Sequence, residues 1–174
     1  VLVVSDPGII RAGHTARGID ALTKAGLATH IFSEIAENPT TADVDRGTAV
    51  AREFRPDLIV GLGGGSSMDC AKGINFIYSC GGRMQDYHGT GKATGPMLPM
   101  IAVPTTAGTG SETTRTAVLT DPGGAKVWLW GDEMKADEVV LDPELSVSLP
   151  PHLTAATGID ALVHAIEACT NRNA

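Results

Sequence analysis

Near its end the chain carries the run TGIDALVHAIEA (residues 157–168), with an aspartate and a histidine four positions apart. At about 100° per residue, Ile159, Leu162, Val163 and Ile166 share one apolar helix face, while Asp160, His164 and Glu167 line a stripe beside it. A carboxylate and an imidazole one turn apart can chelate a divalent ion. The same pair taken alone is more often an i,i+4 hydrogen bond on a solvated stripe. Spacing alone leaves both readings open, and an ion would need one or two further ligands.

Two other segments are built for close approach to a ligand. The first is DLIVGLGGGSSMDCAK (residues 57–72): an apolar run, consecutive glycines, two serines, then a helical pattern. Glycines let the backbone reach a phosphate, and a helix N-terminus offers free N–H groups with a partial positive charge. The pattern departs from G-x-G-x-x-G, because Ser66 stands at the third glycine, and no Walker lysine follows. Its alternative is a tight strand-to-helix turn. The second segment, PTTAGTGSE (residues 104–112), also follows an apolar run and is rich in small hydroxyl residues. In an open α/β sheet ligands bind beyond the carboxyl ends of the strands, so the two loops are expected to face one cleft. Ser66, Ser67 and Ser111 lack a nucleophile-elbow context, which argues against hydrolase chemistry.

The elements that must position these loops read β-α-β-α-β: VLVV, a helix through GIDALTKAG, THIF, a helix through VDRGTAVAREF, then DLIVGLG. A fourth cycle adds a helix over about 67–79 and a strand at PMIAVP. Continuous apolar strands between helical patterns predict a parallel sheet with helices on both faces, Rossmann-like in class. Gly26 is placed to end one helix, and Thr40 or Thr41 to cap the next. Beyond Pro104, TAVLT and AKVWLW are expected to pair around Asp121-Pro122-Gly123-Gly124, and EVVLD reads as one more buried strand. DPELSVSLPP reads as an extended connection, followed by a helix over about 154–170. The proline-rich crossing suggests a boundary between an α/β domain at 1–150 and the start of a helical domain at 151–174.

Composition narrows the function classes. A net charge of -7 without a basic run argues against a nucleic-acid partner or an anionic membrane surface. No apolar run is long enough to span a bilayer. The first residues form an apolar strand rather than a signal peptide, and three cysteines without CxxC spacing (Cys70, Cys80, Cys169) suit a reducing compartment, so a cytoplasmic location is expected. His14, His30, His88 and His152 have no ligand spacing to one another and read as surface residues.

Taken in order, VSDPG, ENPT, GLGGGSSMDCAK, AVPTTAGTGSE, VLDPELSVSLPP and LTAATGIDALVHAIEA resemble the iron-containing (group III) alcohol dehydrogenase family. The resemblance implies reversible oxidation of a primary alcohol to an aldehyde, with hydride transfer to NAD and a divalent ion, iron or zinc, acting as Lewis acid and template. It further implies that Asp160 and His164 are metal ligands, that two more histidines come from helices downstream of this chain, and that a short segment precedes Val1. The metal site is then cut in half, and the 174 residues alone are expected to be inactive. No catalytic residue beyond the metal ligands is required. By motif position, Gly64, Gly65 and Ser66 hold the pyrophosphate, Asp69 lies beside the cofactor, Thr105, Thr106 and Thr109 line the nicotinamide side, and Lys126 reaches in from the next strand, with Asn38 a further contact. The expected partner is a small alcohol or aldehyde, and the full-length protein is expected to be a homo-oligomer.

Asp6 closes the first strand and points beyond its carboxyl edge. A carboxylate there can accept the adenosine ribose hydroxyls and repel a 2′-phosphate, which favours NAD over NADP. Alternatively it starts the Asp-Pro-Gly turn and caps the next helix. Trp128, Trp130 and Ala136 depart from the family pattern. Two other readings compete: a nucleotide-binding module without catalysis, and a relative of glycerol dehydrogenase or dehydroquinate synthase. GTGSE followed by ATGIDALVHAIE favours the alcohol dehydrogenase branch.

Overall fold

The continuous apolar runs form the centre of a five-stranded parallel sheet. The computed structural model describes residues 1–172, so the last two residues of the predicted 151–174 segment lie outside the described residues. In chain order the elements are β1 (Leu2–Val4), α1 (Pro7–Arg11), α2 (His14–Lys24), β2 (His30–Phe32), α3 (Thr41–Phe54), β3 (Ile59–Gly63), α4 (Gly65–Cys80), β4 (Gly89–Thr90), β5 (Met100–Pro104), β6 (Thr116–Thr120), β7 (Lys126–Trp130), β8 (Glu138–Val139) and α5 (Pro151–Thr170). Strand order in the main sheet is β2-β1-β3-β5-β8, all parallel, and a second sheet runs β4-β7-β6.

Helices cover both faces, as the strand pattern predicts. Leu2, Val4, Ile59 and Met100 pack with Val44 and Ala51 of α3 and Ile74 and Ile77 of α4. Val3, Val60 and Leu62, pointing the other way, meet Ile9, Ile19 and Leu22 of α1 and α2. Each fully buried Leu or Ile contributes roughly 1.5–3 kcal/mol relative to exposure. Thr40 caps α3 in a reciprocal capping box with Asp43. The β6–β7 hairpin closes through Asp121 N to Ala125 O at 2.8 Å.

Three expectations are corrected. EVVLD yields only the two-residue β8, which pairs with β5 alone at the sheet edge, so Val140 and Leu141 are exposed instead of buried. The DPELSVSLPP connection is not extended throughout: Asp142 accepts the Glu144 N–H at 2.9 Å and starts a 3-10 turn at Pro143–Ser146. His14 is not a surface residue. It is 7% exposed, and its Nε2 meets Ser148 Oγ at 2.8 Å, tying the start of α2 to that same connection.

Helix α5 has a proline in its first turn, a position where the missing N–H costs nothing. It has no buried residue, and Ile159, Leu162, Val163 and Ile166 are all exposed. It is anchored where Gly108 passes against the Thr157 carbonyl, a contact that leaves no room for a side chain at 108. Among the described residues no helix is long and apolar enough to cross a membrane.

Candidate functional site

The turn from β3 into α4 presents a bare helix N-terminus at the carboxyl edge of the sheet. Gly64 is the N-cap and supplies no side-chain cap. The first-turn N–H groups have no intrahelical acceptor, which makes them an anion site at the positive end of a 16-residue helix. Gly64 sits at φ -80° and ψ -169°, a conformation open to any residue, so its glycine serves space rather than backbone freedom. A Cβ there would lie 3.2 Å from Thr106 Cγ2, and one on Gly65 would lie 3.0 Å from Thr109 Cγ2. The glycine loop and the threonine loop are therefore in contact. Thr105 N donates to Gly63 O at 2.9 Å, which continues the β3–β5 pairing into the loops.

Two clefts open beside these loops. One, of about 390 Å³, is lined by Asn38, Gly65, Ser66, Asp69, Thr109 and Lys126, and also by Trp128 and His164. It thus joins six of the ten expected cofactor residues to one of the two expected metal ligands. The other, of about 480 Å³, is lined by Thr105 and Thr106 with Leu141, Pro143 and Ala161. Gly64 sits in the turn above, and Asp6 lines neither cleft. Asn38 adopts φ 57°, a left-handed conformation that asparagine tolerates. The neighbouring Pro39 carbonyl accepts Thr120 N at 2.9 Å. That clamp brings Asn38 Oδ1 to 3.5 Å from Lys126 Nζ, which also donates to Thr120 Oγ1 at 3.0 Å.

Asp69 is held from two sides, by the Ser111 hydroxyl at 2.7 Å and the Val118 N–H at 3.3 Å. Burial pushes its carboxyl upward from the ordinary value; the Ser111 hydrogen bond and the charge of Lys72 pull it back. Asp6 is equally committed. Its Oδ1 accepts Gly8 N (2.8 Å) and Ile9 N (3.1 Å), capping α1, and its Oδ2 accepts the Ser67 hydroxyl at 2.9 Å. The capping role is present in the geometry, one oxygen is shared with α4, and any ribose contact would have to be made around these bonds.

The residues fit a dinucleotide. Thr105 Oγ1 and Thr106 Oγ1 are buried without a hydrogen-bond partner among the described residues, beside the uncapped N-terminus of α4. For a metal the donor types fit but the number does not. His164 Nε2 and Asp160 Oδ1 are 3.7 Å apart and half-exposed on α5, and the described residues hold no group of three His, Cys, Asp or Glu able to bind one ion.

Sequence reasoning missed Lys72, Ser111, Thr114, Thr116 and Trp128 as parts of this site. Lys72 left a usable trace, because with Asn75 it interrupts an otherwise apolar and small buried stretch of α4. Ser111 belongs to the hydroxyl-rich 104–112 loop that the sequence marks as cleft-facing, though its bond to Asp69 is not legible there. Thr114 and Thr116 left no signal, since only the fold of the following segment brings them to the cleft wall.

Residues 1–143 match the sequence model of the family described as iron-containing alcohol dehydrogenase. Alcohol dehydrogenase 4 of Schizosaccharomyces pombe is 42% identical over 168 residues, which cover 96% of this chain and 40% of the yeast protein. A 1,3-propanediol oxidoreductase crystal structure superposes with TM-score 0.92 at 39% identity, covering 95% of this chain and 44% of its own. Sulfoacetaldehyde reductase from Bifidobacterium kashiwanohense, solved in complex with NAD+, superposes at TM-score 0.84 and 37% identity, again over 95% of this chain and 44% of its own. The chain spans about two-fifths of the length of such relatives. On the family match over residues 1–143, a span that includes both loops that build the cleft, this chain belongs to the iron-containing alcohol dehydrogenase family.

Proposed function

We propose that this chain is the dinucleotide-binding part of an NAD-dependent, divalent-metal-dependent oxidoreductase that interconverts a small primary alcohol and its aldehyde. In this reading residues 1–150 are the cofactor domain, and residues 151–174 begin a helical metal-binding domain that supplies the remaining ligands. The observation that carries it is the convergence of Ser66, Asp69, Lys126 and His164 on one cleft below a bare helix N-terminus. When bound, NAD accepts the hydride and iron or zinc polarises the alcohol oxygen. The chain's own residues bind and orient. The α4 N–H groups hold the pyrophosphate, and the Thr105 and Thr106 hydroxyls and Lys126 meet the sugar and ring portions. Asp160 and His164 contribute two ligands from α5, whose exposed apolar face suits packing against further helices. The enzyme would be cytoplasmic and a homo-oligomer at full length.

The test is NAD binding by the 174-residue chain, together with alcohol oxidation by a longer polypeptide carrying it, with and without added Fe²⁺ or Zn²⁺. Saturable NAD binding with metal-dependent turnover is expected. NAD binding without turnover in any longer form would favour a non-catalytic nucleotide-binding module, and no NAD binding at all would reject both.

A further inference from the structure

Lys72 is 0% exposed, on the helix that begins at the glycine loop. Among the described residues its ammonium forms no ion pair with a carboxylate. Instead Nζ donates to Ser111 O at 2.6 Å, Thr114 O at 2.9 Å, Thr116 O at 3.0 Å and Thr114 Oγ1 at 3.1 Å. Three N–H groups thus face four oxygens, all from residues 111–116. Packing alone does not call for this arrangement: a methionine of similar length would fill the space and leave three carbonyls without that donor. Burying a charge is costly unless it is fully hydrogen-bonded. The loop in turn has few backbone bonds of its own, Thr113 N to Gly110 O being one at 3.0 Å. What the loop gains is shape. Ser111, Thr114 and Thr116 line the cleft with Asp69, and the Ser111 hydroxyl reaches that carboxylate at 2.7 Å.

We propose that the Lys72 ammonium is a positioning residue, an internal cation around which the 111–116 wall of the cofactor cleft is folded, so that dinucleotide affinity depends on Lys72 being charged. The dependence on a dinucleotide rests on the function proposed above; the shaping of the loop does not.

The surroundings make that charge titratable. Burial pulls Lys72 down to about 8 from its ordinary value, against Asp69 on its own helix and Glu112 on the loop, both of which favour the charged form. Among the elements packed on α4, strands β1, β3, β5 and β6 carry no ionisable side chain, and Asp43 and Arg46 of α3 act on Cys70 instead. On losing its proton the amine keeps two N–H donors and turns a lone pair toward a carbonyl. The charged form is the binding-competent one, so affinity is full below the folded value and falls as pH rises through it.

The test follows two readouts from about pH 6.5 to about pH 9.5. One is the amide resonances of residues 111–116 in the cofactor-free chain, and the other is the NAD dissociation constant by calorimetry. In the parent, the loop amides should shift with a midpoint near that of Lys72, and NAD affinity should fall above it by up to about tenfold per pH unit. Lys72→Met should bind NAD at least about tenfold more weakly at neutral pH, with no dependence on pH across this window. A merely structural lysine would leave the parent's pH profile flat. A folded Lys72→Met variant that binds NAD like the parent, or parent loop amides that do not move up to the highest pH, would overturn the proposal. Should Lys72→Met fail to fold, the parent amides decide. Should the parent bind no NAD at any pH, the cofactor reading fails while the amide midpoint still judges Lys72.

Discussion

The Asp6 carboxylate accepts the Ser67 hydroxyl at 2.9 Å across 61 residues of sequence, joining the end of the first strand to the first turn of the helix that carries the glycine loop. With its other oxygen it caps α1. Asp6 is therefore a strut between the N-termini of α1 and α4, and the sequence expectation adds a second role, repulsion of a 2′-phosphate. The two roles separate in Asp6→Asn, which keeps an acceptor for the Gly8 and Ile9 amides and removes the charge. Asparagine caps as well as aspartate, so stability should stay within about 0.5 kcal/mol of the parent. The NADP-to-NAD affinity ratio should rise by about tenfold or more, because repulsion of the phosphate is gone. An unchanged ratio in the folded variant assigns Asp6 to structure alone.

Gly64 gives a second prediction. Its dihedral angles suit alanine, and a Cβ would meet Thr106 Cγ2 at 3.2 Å, a contact that a shift of a few tenths of an ångström relieves. Gly64→Ala should therefore fold. It should nonetheless lose NAD affinity by roughly ten- to a hundredfold, since the methyl group stands between the phosphate and the helix N–H groups. Calorimetry on variant and parent checks this, and equal affinities would reduce the glycine loop to a turn.

What was legible in the sequence was local. β1, β3 and β5 stood out because they are apolar on both faces, and capping chemistry narrowed the start of α3 to Thr40 or Thr41, of which Thr40 is the cap. The residues that went astray are those whose surroundings come from far along the chain. His14 looked like a surface histidine because Ser148, its partner, is 134 residues away. β8 looked like a core strand because nothing in EVVLD says that it lies at an edge. The site divides the same way. Gly65, Ser66, Asp69, Thr109 and Lys126 could be aligned on motifs, whereas the cage around Lys72 needs the folded loop, which no spacing rule encodes.

The tryptophans yield a spectroscopic prediction. Along β7 the side chains of 126, 128 and 130 share one face. Trp128, 48% exposed, lines the cleft with His164, whereas Trp130, 46% exposed, lies 6.0 Å from the Arg115 guanidinium and outside it. Addition of NADH should quench tryptophan emission chiefly through Trp128. Trp128→Phe should remove most of the change and Trp130→Phe little of it. A reversed ranking would place the reduced ring elsewhere.

The metal pair gives the last prediction. Asp160 and His164 stand half-exposed at 3.7 Å on a helix that buries none of its residues, so water competes for every position around an ion held there. Iron and zinc sites take three or four protein ligands, and an isolated two-ligand site exchanges readily with a chelator. The 174-residue chain loaded with Zn²⁺ or Fe²⁺ and dialysed against chelator as a monomer should keep less than about 0.1 ion per chain. His164→Ala should change its unfolding free energy by no more than about 0.5 kcal/mol, the usual worth of an exposed i,i+4 pair. In a longer polypeptide that carries the remaining ligands, the same substitution should instead weaken metal retention, because a three-ligand remainder leaves one more position to water. Stoichiometric metal surviving dialysis in the monomeric chain would mean that further ligands lie within these residues, and would refute the division of the metal site between this chain and segments beyond it.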